Sequence, residues 1–156
     1  MSAVISLKEF IGEMETLGEE MMVFLNRQTG EFVAVTDELQ GLVEQEDEGE
    51  EIDAPEWEME LLPKVREVMD SDDWLMLPSK FDIHEYAIME DFCRSVADEM
   101  LRADLLDAIR GSGAFGRFKS IAQRHGLIDD WYRFRDQAFE QIAIDWLKAN
   151  EIPYKK

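Results

Sequence analysis

The chain has 156 residues, the size of one ordinary domain that can bury a core without disulfide or metal staples. Hydrophobic residues make up 46% and charged residues 33%, a folded rather than a disordered composition. Acids number 36 against 16 bases, a formal charge of -20, and there is one cysteine, Cys93; the charge argues against a general nucleic-acid binder, whose phosphates would be repelled, and the cysteine count excludes a disulfide framework or a multi-cysteine zinc site.

Ser6 reads as a helix N-cap, with Glu9 completing a capping box. Leu7, Phe10, Ile11, Met14 and Leu17 then share a helical face, and Gly18 is a stop signal. Met21–Asn26 reads as a strand, Gln28-Thr29-Gly30 as a turn and Phe32–Val35 as the return strand. Such a hairpin is not stable alone. Thr36 or Asp37 caps a short helix through Val43. Pro55 opens the next helix, with Trp57, Leu61, Leu62, Val65, Val68 and Met69 as its apolar stripe. Trp74–Leu77, closed by Pro78, is the third strand that the hairpin needs.

From Asp82 on, the pattern is all-helical. Asp82 and Glu85 form a capping-box-like pair. Tyr86, Met89, Phe92, Cys93, Val96 and Met100 fall on one face of a single helix. A second helix runs from about Leu101 to Arg110 and stops at Gly111-Ser112-Gly113. A third, Ala114–His125, is closed by Gly126. Asp129 caps the last helix, which ends before Pro153. The fold class is α+β: a three-stranded antiparallel sheet packed with helices, then a helical C-terminal half. The organisation expected is a single domain, 1–156, with an acidic part (1–80) and a helical part (81–156).

The charge is uneven. Residues 1–80 hold 22 acids and 5 bases, whereas residues 81–156 hold 14 and 11. The peak is Glu44–Asp53, with seven acids in ten residues. Such a run reads as a solvated loop, or else as a docking surface for a basic protein spanning 37–60. It lacks the EF-hand spacing. In the second half, Arg110, Arg117, Lys119, Arg124, Arg133 and Arg135 make a local basic area opposed only by Asp129 and Asp130. It offers weak RNA binding, or pairing with the acidic half of another copy or of this same chain, so homo-oligomers stay open. The glycines at 111 and 113 lack phosphate-loop spacing and follow no strand, so they read as a helix–helix turn.

One residue stands out. At about 100° per residue, Trp131, Ile142, Trp146, Phe139 and Phe134 share one face of the last helix, and Arg135 falls in its middle. A buried guanidinium needs a carboxylate. Glu90 or Asp91 is the expected partner. The pair is either a structural ion pair that fixes register or an anion clamp lining a pocket. The candidate ligand-binding residues are therefore Arg135, Glu90, Asp91, Arg117 and Lys119. His84 and His125 have no metal-ligand spacing, so neither a metal nor another cofactor is expected. Cys93 sits on an apolar stripe and reads as core. The first residues lack a signal-peptide pattern, and the longest apolar run is far shorter than a membrane span. With one unpaired thiol, the expected compartment is the cytoplasm.

Several stretches resemble uncharacterised protein family 0158, a bacterial family. They are Leu77-Pro78-Ser79-Lys80, His84-Glu85-Tyr86 with Ile88-Met89-Glu90-Asp91-Phe92, Gly113-Ala114-Phe115-Gly116-Arg117-Phe118-Lys119, Trp131-Tyr132-Arg133-Phe134-Arg135 and Ile142-Ala143-Ile144-Asp145-Trp146-Leu147. The turn Thr29-Gly30-Glu31 is also similar. The resemblance covers mainly residues 77–150 and implies little about activity, since none is established for that family. Gly116 departs from it, standing where a larger polar or basic residue is more usual, which weakens a fixed basic site there. The expected role is a non-catalytic interaction or regulatory module. The alternative is an anionic-ligand-binding protein or enzyme with a pocket at Arg135.

Overall fold

The computed structural model describes residues 3–16 and 21–156, with the backbone alone for Lys80 and Phe81. Leu17 and Gly18, the expected end of the first helix, lie outside the described residues. The chain forms β1 (Ile5–Ser6), α1 (Leu7–Glu15), β2 (Met21–Asn26), β3 (Phe32–Thr36), α2 (Asp37–Asp47), α3 (Glu56–Asp70), β4 (Trp74–Met76), α4 (Lys80–Ile83), α5 (Glu85–Ser95), α6 (Glu99–Ala108), α7 (Ala114–Arg124), α8 (Ile128–Ala149) and β5 (Tyr154–Lys155). This is an α+β fold. It divides into two compact units, one of Met1–Asp82 with Ala143–Lys156 and one of Ile83–Ile142.

The first unit is built around the antiparallel sheet β3-β2-β4. In β2, Phe24 pairs with Val33 and Met76, and Leu25 with Phe32 and Leu75. The hairpin is fixed by its turn. The Asn26 side-chain oxygen accepts from the Gln28 and Thr29 amides at 2.8 and 3.1 Å, an Asx arrangement that stands in for backbone turn bonds. Gly30 follows at φ 80°, a left-handed conformation open to glycine. One sheet face carries Phe24, Val33, Val35 and Trp74, packed with Leu39 and Val43 of α2 and Leu62, Val65 and Val68 of α3. On the other face, Phe32 meets Phe10 of α1, whose ring also touches Trp146. With a cover on each side, the sheet gains the packing that a bare hairpin lacks.

The helix starts are chemical as well as periodic. Ser6 accepts the Glu9 amide and Thr36 the Leu39 amide, each from the N-cap position. α2 runs to Asp47, four residues beyond the expected end at Val43. The first acids of the presumed loop, Glu44 to Asp47, are therefore helical. They stay helical because Leu39 and Val43 anchor α2 in the core, and because Arg66 of α3 pairs with both Glu46 and Asp47. The stripe expected on α3 is only partly buried. Leu62, Val65 and Val68 are covered, whereas Trp57, Leu61 and Met69 are exposed.

The C-terminus departs from the all-helical expectation. β5 pairs in parallel with β1, through Ile5 with Tyr154 and Ser6 with Lys155. Glu151 turns the chain at φ 57°, and Arg27 donates to the Asn150 carbonyl at 3.2 Å. That bond satisfies a carbonyl at the end of α8 that no helical amide can reach.

The second unit is helical, α5 to α7 with the first part of α8. Its core is aromatic. Phe92 packs edge-on to Phe118, Trp131 and Phe134, with centroids 5.4 to 5.9 Å apart, and Phe118 meets Trp131 at 5.1 Å. Edge-to-face rings add to the burial they provide. The single helix expected from Asp82 through Met100 is two. α5 starts after His84, which is left-handed at φ 51°, and ends at Ser95. Ser95 donates its hydroxyl to the Phe92 carbonyl, and Asp98 accepts the Met100 and Leu101 amides to begin α6. Local side-chain bonds outcompete the apolar periodicity here. Met100 is left 81% exposed instead of buried. Tyr86 is also exposed, and its hydroxyl donates to the Ile109 carbonyl at the end of α6.

Candidate functional site

Of the basic area expected over residues 110–135, Arg117, Arg133 and Arg135 are engaged by the chain itself, and Arg110, Lys119 and Arg124 are exposed. The glycines at 111 and 113 hold φ 77° and 75°, and the turn they make wraps carbonyls around Arg117. Its Nε donates to the Ala108 carbonyl at 2.7 Å, and its terminal nitrogens to the Ser112 and Arg110 carbonyls. These are carbonyls at and beyond the end of α6, which lack helical donors. A Cβ on Gly113 would lie 3.2 Å from the Arg117 guanidinium. Arg117 thus staples the α6–α7 turn. A shallow depression beside it is lined by Ala108, Gly116, Arg117, Ser120, Ile121 and Arg124. Lys119 is exposed on α7. Arg133 pairs with Asp130 one turn back on α8.

Arg135 is partly buried, its side chain 24% exposed, and its guanidinium lies 4.2 Å over the Phe139 ring. It pairs with the carboxylate of Glu85, at 3.1 Å. This corrects the expected partners: Glu90 pairs with Arg94 one turn along α5, and Asp91 is exposed. The reason is helical phase. Glu85 precedes Phe92 by seven residues, two turns, so both lie on one face of α5. Phe92 packs on Trp131 and Phe134, which brings Glu85 to Arg135. Glu90 and Asp91 lie about 200° and 100° from Phe92. The structure therefore does not bring the five candidate residues together. The bond that matters joins Arg135 to a residue read only as a capping acid.

Cys93 is fully buried, and burial, aided by the Glu90 carboxylate, pushes its thiol up to about 11. At neutral pH it stays a protonated core residue, since the thiolate is the reactive form. Among the described residues, no group of three or more His, Cys, Asp or Glu side chains is placed to hold a metal ion.

The acidic area differs. From residue 37 to 60 the chain carries twelve acids and no base. α2 and α3, packed on each other, hold most of these acids in place. Arg66 takes up Glu46 and Asp47, and the remaining acids of this segment have no cation partner among the described residues. Glu58 of α3 is only 5% exposed, covered locally by its neighbours instead of sunk in the interior. The Glu38 carboxyl of α2 lies close enough to act on it. Burial first, and the Glu38 charge second, push it above the usual carboxylate range. In sequence, Glu58 looks like any other acid of the run; its place among Trp57, Leu61 and Leu62 was the available signal. A second depression lies on the sheet face of this unit, lined by Met22, Phe24, Val35, Gln40, Val68, Met69, Ser71 and Trp74.

Among the described residues, no helix is long and apolar enough to cross a membrane. No solved structure matches the chain. A UPF0158 protein of Pseudomonas aeruginosa is similar, 35% identical over 66 residues. The match spans 42% of this chain and 43% of that protein, less than half the length of the relative. The family model described as uncharacterised protein family UPF0158 matches residues 4–155, nearly the whole length, and the chain belongs to that family.

Proposed function

We propose that this protein is a non-catalytic interaction or regulatory module of the cytoplasm that binds a basic protein through residues 37–60. The observation that carries this reading is the contrast in charge use. Eight of the twelve acids are held on α2 and α3, the other four lie in the link between them, and the segment has no compensating base. Arg117, Arg133 and Arg135 of the basic area are already engaged by carbonyls and carboxylates of their own unit. Ordered like charge steers a complementary partner and sets its association rate. The Arg135–Glu85 pair supports a structural role for Arg135 over an anion clamp. The buried single thiol is in keeping with a reducing compartment.

The test is capture at low ionic strength with the full chain and with a charge-reversed form carrying Lys at Glu48, Glu50 and Glu51. A basic protein should be retained by the first, released as salt rises past about 0.1 M, where the Debye length is about 10 Å, and not retained by the second. Equal retention by both forms, or no basic protein at low salt, overturns the reading.

A further inference from the structure

The apolar stripe of α3 outruns its cover. With Trp57 at 0°, Leu61 falls near 40°, Val65 near 80° and Val68 near 20°, at about 100° per residue. One continuous row results. Val65 and Val68 at its C-terminal end are each 2% exposed. Trp57 and Leu61 at the other end are 61% and 43% exposed. Nothing in helical phase separates the bare pair from the buried one. What differs is that in the earlier turns burial falls on Glu58 and Leu62, at about 100° and 140°, and leaves the Trp57–Leu61 edge bare. An exposed tryptophan with a leucine one turn away is costly to leave in water, and tryptophan is the residue most often found at the energetic centre of an interface.

The surroundings choose the occupant. Asp53, Glu56 and Glu60 flank the bare pair, and no base occurs from 37 to 60. An anionic lipid surface or a nucleic acid would meet that charge at a repulsive cost. A cationic polypeptide meets it favourably. We infer that the Trp57–Leu61 end of α3 is the anchor point for a partner segment that combines a row of Lys or Arg with apolar side chains, the carboxylates taking the cations and the indole the apolar groups. This rests on the reading of 37–60 as the docking segment and adds what the partner must contain beyond charge.

The experiment uses the full chain and two defined probes, an amphipathic leucine–lysine peptide of about four helical turns and an oligolysine of equal charge. Replacing both anchors, Trp57→Ala with Leu61→Ala, should weaken the leucine–lysine peptide by about tenfold or more and leave the oligolysine within about twofold. Met100→Ala removes another exposed apolar side chain, outside the segment, and should change neither. In the unmodified protein, the peptide should also shield an accessible indole from acrylamide, since Trp74 and Trp131 are already buried; this readout does not depend on a variant folding. Undiminished binding of the leucine–lysine peptide by the double variant, absence of indole shielding, or stronger binding to phosphatidylglycerol vesicles than to the peptide overturns the inference. If the oligolysine binds and the anchors do not matter, the electrostatic reading survives alone. If neither peptide binds at low salt, that reading falls as well.

Discussion

The acidic helices α2 and α3 and the basic stretch from α6 to α8 look in sequence like two halves of a charge pair. In space they are unlike. Three of the bases are engaged within their own unit, Arg117 onto three carbonyls, Arg133 onto Asp130 and Arg135 onto Glu85, while Arg110, Lys119 and Arg124 are exposed. The acids of residues 37–60 are exposed except Glu58, with Arg66 answering Glu46 and Asp47, and further along α3 Lys64 answers Glu67. Formal charge therefore overstates what the basic stretch can offer a ligand and describes the acidic helices well. An arginine has five donors in a fixed fork, and backbone carbonyls at a helix end are ready acceptors. Carboxylates have few donors to turn to in a chain with 16 bases for 36 acids.

If the basic stretch is a structural assembly, its order depends on the rings beneath it. Phe118 is fully buried against Phe92 and Trp131. Phe118→Ala should cost about 3–5 kcal/mol, read as a fall in the urea midpoint, with loss of near-ultraviolet ellipticity from the tryptophan it touches. A cost under about 1 kcal/mol would mean that the aromatic cluster does not organise this unit. A smaller effect is expected at the ion pair. A double-mutant cycle of Arg135→Ala and Glu85→Ala should show a coupling of about 1 kcal/mol, screened because both side chains are partly exposed. No coupling would mean that the Glu85 pair does not help to hold this unit together.

The smallest change sharpens the acidic side. Glu58 titrates above its unfolded value, so between the two values the folded state binds more protons than the unfolded one. Its contribution then falls as pH rises through that window and is unfavourable above it. Glu58→Gln should make the protein slightly more stable than the parent at pH 7, with the difference shrinking to nothing as pH drops below about 4. Thermal melts across pH would show this as a flatter profile for the variant. A variant less stable than the parent at pH 7 would show that the Glu58 carboxyl is not held above its ordinary range.

Much of the fold was legible because its signals are local. The hairpin, the third strand and the caps at Ser6 and Thr36 each follow from a few neighbouring residues and fixed stereochemistry. The burial of Trp131 and Phe139 followed from helical phase alone. The errors cluster where a local bond overrules a period or where the partner is distant. Asp98 starts a helix inside an apolar repeat, which exposed Met100. The two-residue strand β5 exists only because β1 lies beside it, and no pattern in Tyr154-Lys155 announces that. For the candidate site, the need of Arg135 for a carboxylate could be read, but the choice of Glu85 depended on where α5 begins. That start is set by the left-handed turn at His84, which the sequence does not mark. Arg117 was singled out as a cation; that the glycine turn encloses it could be read only from the backbone.

The depth of Cys93 has a practical consequence. As the sole thiol, shielded from solvent and protonated at neutral pH, it will be a poor target for maleimides in the folded state. A cysteine placed at Gly49, where the chain is exposed between α2 and α3, would react first, at a modest cost in strain because the backbone there is left-handed at φ 83°. A fluorophore could then be attached to the acidic segment without first building a cysteine-free background, and a rotational or energy-transfer signal from that single point would report what settles on it.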